Sequence, residues 1–110
     1  MIRENRLSSL IRTEVASLLT KKINDSRIGF ITITYVKISK DKRDAWVYYS
    51  EFGTDEQKKE TRKGLHSATK FIHGELSKII RYMAVPKIHF RFDESVERGV
   101  DLVNKINNLD

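Results

Sequence analysis

The chain has no cysteine among its 110 residues, one proline and five glycines. Without thiols there is no disulfide framework, no thiolate metal site and no cysteine nucleophile, and the composition suits a reducing compartment. No apolar run approaches the roughly 18 residues needed to span a bilayer. The opening Met1-Ile2-Arg3-Glu4-Asn5-Arg6 lacks the apolar stretch of a signal peptide, so a cytoplasmic location is expected. Enzyme signatures are missing as well: there is no Gly-x-x-x-x-Gly-Lys phosphate loop, no Gly-x-Gly-x-x-Gly, no Gly-x-Ser-x-Gly elbow and no His-Glu-x-x-His. No catalytic residue, metal or cofactor is therefore expected. The length leaves room for one core, so residues 1–110 are read as a single domain.

Hydrophobic residues make up 39% of the chain, with one Trp, four Tyr and five Phe, enough for a compact fold despite the high polarity. Lys and Arg number 21 against 15 Asp and Glu, a net charge of +6 that makes a polyanionic partner plausible. The excess is segregated: residues 58–91 carry 9 basic and 2 acidic side chains and contain all three histidines. Basic side chains scattered for solubility would be spread more evenly.

Leu7, Leu10, Ile11, Val15, Leu18 and Leu19 recur at helical spacing and predict an amphipathic helix over about residues 3–22. Asn24-Asp25-Ser26 and Gly29 supply turn chemistry. Two runs rich in β-branched and aromatic residues, Phe30–Ile38 and Ala45–Phe52, flank Ser39-Lys40-Asp41-Lys42-Arg43 and predict a β-hairpin. In its first strand Ile31 and Ile33 are out of phase with Val36 and Ile38, which predicts a bulge near Tyr35. Residues 55–83 read as helical, with Leu65, Ala68, Ile72, Leu76, Ile79 and Ile80 apolar. A straight helix of that length, about 44 Å at roughly 1.5 Å per residue, outruns a small domain. A bend or break is therefore expected at Ser67-Ala68-Thr69-Lys70 or at Gly74, with two helices meeting there. Val85-Pro86 should end the second of them. Lys87-Ile88-His89-Phe90-Arg91-Phe92 alternates fully and predicts a strand with one apolar and one basic face. Asp93 or Ser95 would cap a last helix carrying Val96, Val100, Val103 and Ile106. A three-stranded sheet covered on one face by helices is the economical α+β architecture.

The strongest constellation for chemistry lies on the long helical segment. Lys59, Lys63, His66 and Lys70 fall at i, i+4, i+7 and i+11 and form one stripe beside the apolar face. Arg62 adjoins it, and Lys78, Arg81, Lys87 and Arg91 extend the charge beyond the expected kink. Each cation that neutralises a phosphate releases condensed counterions, so such spacing suits RNA. A merely solvated face would mix signs, and only Glu60 and Glu75 interrupt this one. The uncovered face of the sheet is a second candidate, where Trp46 and Tyr48 would lie with His89 and Arg91, unless a loop covers them. Asp41 and Asp44 flank the hairpin turn and read as turn formers. His66 and His73 lack a carboxylate at matching spacing and read as surface or capping histidines.

These residues carry a resemblance to the ribosome-binding factor A family, bacterial ribosome maturation factors, over nearly the whole chain. The matching stretches begin with Asp25-Ser26-Arg27, where many members have Asp-Pro-Arg, and Thr32-Ile33-Thr34-Tyr35-Val36 followed by Ser39-Lys40-Asp41. Ala45-Trp46-Val47-Tyr48, Leu65 with Ala68 and Phe71-Ile72, and Glu75-Leu76 follow in register, then Val85-Pro86-Lys87-Ile88-His89-Phe90 running to Phe92-Asp93-Glu94-Ser95. The resemblance implies a type II KH-like fold whose Gly-x-x-Gly loop is replaced by an Ala-x-Gly kink. Here the kink residues are Ala68, Thr69 and Lys70, with Lys70 where the family has Gly. It further implies a non-enzymatic assembly factor; a monomer is the default expectation for the chain. Such a factor would bind the free or immature small ribosomal subunit and its 16S rRNA and support processing of the rRNA 5′ end, especially in the cold. A general single-stranded RNA-binding KH-like module and a small αβ enzyme acting on anionic substrates are the other readings.

Overall fold

The computed structural model describes residues 5–95. Its first helix, α1, spans Arg6–Lys21 and begins at a reciprocal cap: Asn5 accepts the Ser8 N–H at 2.8 Å while the Ser8 hydroxyl oxygen accepts the Asn5 N–H at 3.0 Å. Two otherwise orphaned backbone donors are satisfied there. Leu7, Ile11, Val15 and Leu18 form its buried side, as their spacing predicts.

Strands β1 (Ile31–Ile38) and β2 (Asp44–Glu51) pair antiparallel. The predicted bulge is present: Ile33 pairs with Tyr49 and Tyr35 with Tyr48, leaving Thr34 as the extra residue. The extra residue brings Ile33, Val36 and Ile38 onto one face although the sequence alternation breaks between them. Phe30 and Phe52, expected to end the strands, lie outside them and are largely exposed. At the hairpin tip Asp41 accepts from the Ser39 hydroxyl at 2.7 Å and the Arg43 N–H at 3.1 Å, and these bonds, the Ser39 one foremost, lower its pKa.

The expected break in the second helical segment does not occur. Helix α2 runs uninterrupted over Asp55–Ile79, so Ala68, Thr69 and Lys70 lie within one helix and not at a junction between two. The length argument fails because only part of the helix faces the core. Its buried residues start at Thr61 and the buried stretch ends with Ile80, about 30 Å at roughly 1.5 Å per residue. The first turn, capped by Thr54 and Gln57, stays exposed. The Thr69 and Ser77 hydroxyls bond carbonyls of their own helix, His66 at 2.8 Å and His73 at 2.9 Å, and do not interrupt it. The helix also stops earlier than residue 83, because Ile80 takes up extended backbone and turns its side chain into the core. A half-buried His73 Nε2 holds the Val85 carbonyl at 3.0 Å, tying the following loop back to α2.

Strand β3 (Lys87–Phe92) pairs parallel with β2, giving the sheet order β1-β2-β3. Both helices pack on one face, where Ile11, Val15, Val36, Val47, Ile72, Leu76, Ile80 and Ile88 form the core. Ile88 is buried, Phe90 and Phe92 are half-buried against Tyr49, and Lys87 and Arg91 are exposed, as the alternation predicts. This is the α+β, KH-like arrangement that the resemblance implies. Among the described residues no helix is long and apolar enough to cross a membrane. The last predicted helix, with Val96, Val100, Val103 and Ile106, lies outside the described residues.

A cross-sheet clamp fixes the bulge. The Thr34 hydroxyl donates to Asp93 Oδ2 at 2.6 Å, and the Asp93 N–H donates to the Tyr49 carbonyl at 2.6 Å. Burial alone would push the Asp93 carboxyl up, but hydrogen bonds from Ser95 and Thr34 outweigh it and hold the carboxyl below its ordinary range. A carboxyl depressed in this way stabilises the fold above its unfolded pKa of about 3.9, and the contribution is lost as pH falls through the lower folded value.

Two sets of variants test this architecture by denaturant unfolding. Thr34→Val should cost about 1–3 kcal/mol at neutral pH by stranding a buried acceptor, with the deficit shrinking once acid protonates Asp93. Gly74→Ala, with nothing within 4 Å of a new Cβ, should gain about 0.5–1 kcal/mol in a continuous helix. At Gly64 the same Cβ would lie 2.6 Å from Ile28 Cγ1. Gly64→Ala should therefore lose about 1–2 kcal/mol through overpacking. Destabilisation by Gly74→Ala would contradict an unbroken helix.

Candidate nucleic-acid interface

Because Leu65, Ile72 and Leu76 face the core, the helical repeat turns Lys59, Lys63, His66 and Lys70 outward, and all four are exposed. They run about 16 Å along α2 at roughly 1.5 Å per residue. Arg62 is exposed beside them. Lys63 Nζ lies 3.5 Å from Glu60 Oε1, with both side chains about half exposed. A pair of that kind is worth about 0–1 kcal/mol and leaves the cation available to a phosphate. Lys59, Arg62 and Lys70 form no ion pair among the described residues.

Towards the end of α2 the charge is partly spent within the molecule. Glu75 takes Lys78 Nζ on one oxygen and Lys22 Nζ of α1 on the other, each at 3.5 Å. Arg81 Nε donates to the Lys78 carbonyl at 3.2 Å, which holds the guanidinium at the helix end. Both cations remain exposed.

The fold adds a cation to the stripe that sequence spacing did not single out. Arg27, from the loop between α1 and β1, lines a shallow hollow together with Arg62, Lys63, His66 and Ser67. Its Nε and Nη2 grip the Asp25 carboxylate at 3.0 and 2.6 Å, and these bonds lower the Asp25 pKa to about 2. The paired geometry orients the guanidinium while its remaining N–H groups stay free to donate. The loop is pinned by Thr61, fully buried on α2: its hydroxyl donates to Glu51 Oε2 at 2.6 Å and accepts the Gly29 N–H at 3.1 Å. Gly64 lets Ile28 approach the helix closely. The determinants of Arg27's position thus lie 34 and 37 residues downstream, beyond any local pattern. The one signal in the sequence was the Asp25-Ser26-Arg27 stretch itself.

Lys87 and Arg91 do not join this surface. They stand on the opposite face of the sheet, turned away from the helices, so the nine candidate RNA-binding residues divide between two sides of the molecule. Trp46, Tyr48, His89 and Arg91 share that face, the first three half-buried and Arg91 exposed. Asp44 also belongs to it: its Oδ1 lies 2.8 Å from His89 Nε2, a role beyond the turn duty read from its position.

A family model described as Ribosome-binding factor A matches residues 3–106. The ribosome-binding factor A of Dictyoglomus thermophilum is 45% identical over 97% of this chain and 90% of its own length. Among solved structures, the solution NMR structure of a candidate ribosome-binding factor A from Thermotoga maritima is 37% identical, covers 77% of this chain and 81% of that one, and superposes with a TM-score of 0.70. A homology model of the Thermus thermophilus ribosome-binding factor A, as fitted into the cryo-EM map of a 30S complex, is similar in fold: its TM-score is 0.66 at 21% identity, covering 84% of this chain and 97% of that one. The extent of the family match and the identity across nearly the full length, on a fold with the same α+β core, show that the chain belongs to the ribosome-binding factor A family.

Proposed function

We propose that this chain is a non-enzymatic assembly factor that binds the free or immature small ribosomal subunit through the 16S rRNA backbone, acting in the cytoplasm as a monomeric, single KH-like unit. The observation that carries the reading is the run of exposed cations on the outer side of α2, Lys59, Arg62, Lys63, His66 and Lys70, joined by Arg27. Cations one helical turn apart stand about 5–6 Å from each other, close enough to engage successive phosphates of one strand. Each phosphate neutralised should contribute about −0.7 to the log-log salt slope on single-stranded RNA. A homology model of the Thermus thermophilus relative was fitted into the cryo-EM map of a 30S complex, which agrees with this choice of partner.

The mechanism that follows is passive. The cations are already arrayed on one continuous helix, so it holds an immature rRNA arrangement without a motor, and a later factor releases it. Cleavage at the rRNA 5′ end would be supported by that hold and performed by a separate nuclease, with the greatest need in the cold, where misarranged RNA rearranges slowly. Lys70 continues the cationic run along an unbroken helix.

Replacing Lys59, Lys63 and Lys70 together by Glu should weaken co-sedimentation with free small subunits by at least about tenfold and flatten the salt dependence. Folding should change little, since exposed substitutions cost under about 0.5 kcal/mol each. Unchanged co-sedimentation would reject the stripe as the contact surface. Equal affinity for arbitrary single-stranded RNA would favour a general RNA-binding module instead.

A further inference from the structure

The face of the sheet turned away from the helices has a composition that neither the core nor the α2 stripe explains. Its residues form two rows across the three strands. One row is Lys37, Trp46 and His89; the next is Tyr35, Tyr48 and Arg91. Each row therefore has an aromatic ring on the central strand and a cation on an outer strand. The rings are already stacked in pairs: Tyr35 and Tyr48 lie 4.2 Å apart at an interplanar angle of 12°, and Trp46 and His89 lie 5.8 Å apart at 23°. Lys37, Lys87 and Arg91 are exposed around them. Of the acids beside them, Asp44 is engaged by His89 at 2.8 Å and Asp93, next to Tyr35, by the Thr34 hydroxyl at 2.6 Å.

The hairpin tip continues this pattern. Lys40, Lys42 and Arg43 are exposed at the end of the face nearest the Trp46 row. Lys42 adopts φ 60°, the left-handed region that favours glycine or asparagine. A lysine at that position keeps a cation where the backbone would prefer a residue without a bulky side chain.

We propose that this face is a second RNA site, for an unpaired, single-stranded segment whose bases add to the Tyr35/Tyr48 and Trp46/His89 stacks while Lys37, Lys87, Arg91 and the hairpin cations take its phosphates. Parallel ring pairs held by a sheet are preorganised, so a base extends an existing stack without ordering the protein. Trp46 and Tyr48 stand about 6.6 Å apart along β2, which separates two bases, one per row. A duplex keeps its base faces stacked inside and offers nothing to such a surface, whereas unpaired bases present theirs. Since the α2 stripe lies on the far side of the core, a chain using both surfaces sits between two RNA segments. The identity of the RNA in the cell rests on the ribosomal reading above; the existence of the site does not.

Trp46 is the only tryptophan in the chain, so its intrinsic fluorescence reports this face directly. Titration of the full chain with an octameric oligoadenylate should quench it, and a duplex of the same length should act at least about tenfold more weakly. Lys37→Ala combined with Arg91→Ala should weaken quenching and reduce the salt slope by about 1.4, two phosphates' worth on a single strand. Tyr48→Phe, which keeps the ring, should bind like the parent, and Tyr48→Leu, which keeps bulk without it, should not. The Lys59→Glu, Lys63→Glu, Lys70→Glu chain should retain full quenching by the oligomer even as it loses small subunits, so the two surfaces fail separately. Absence of quenching into the millimolar range, or quenching that disappears with the stripe variant and persists in Lys37→Ala/Arg91→Ala, would overturn the site.

Discussion

The burial of one side of α2 against the sheet decides where the cations in the middle of the chain point. Leu65, Ile72 and Leu76 are fully buried, and they set the rotation of the helix about its own axis. Removing a buried side chain of this size costs about 2–5 kcal/mol, far more than any single surface charge contributes. The charged pattern therefore follows from the apolar one. With that rotation fixed, Lys59, Lys63, His66 and Lys70 share one outward strip, and Lys22 and Lys78 are drawn to Glu75 at the far end.

A second constraint brings in the loop ahead of β1. Thr61 and Gly64 are on the same side of α2 as its buried surface, one bonding Gly29 and Glu51 and the other admitting Ile28. Their joint effect is to place Arg27 beside Arg62 and His66. A polar pin and an absent side chain thus extend the surface from a single helix to a helix and a loop.

Much of this was legible in the sequence because the signals are local. The α1 face, the phase break that marks the Thr34 bulge, and the strict alternation of Lys87 to Phe92 each follow from side-chain direction within one element. What was not legible depends on how elements meet. The continuity of α2 was missed because a length limit applies only to the stretch that faces the core, and the first turn from Asp55 does not. Lys87 and Arg91 read as a continuation of the α2 stripe because they are close in sequence. The turn through residues 80–86 carries the chain from the helix layer to the sheet layer, and the alternation of β3 then points them to the other side. Arg27 was overlooked as part of the surface because its neighbours there come from a distant part of the chain.

The central claim is that α2's outer side, with Arg27, meets the rRNA backbone. Lysine reactivity mapped by acetylation and mass spectrometry, on the free chain and on the chain bound to free small subunits, tests it most directly. Protection of Lys59, Lys63 and Lys70 on binding, with Lys21 near the end of α1 left reactive, is the expected result. Undiminished reactivity of all three in the bound state would contradict it.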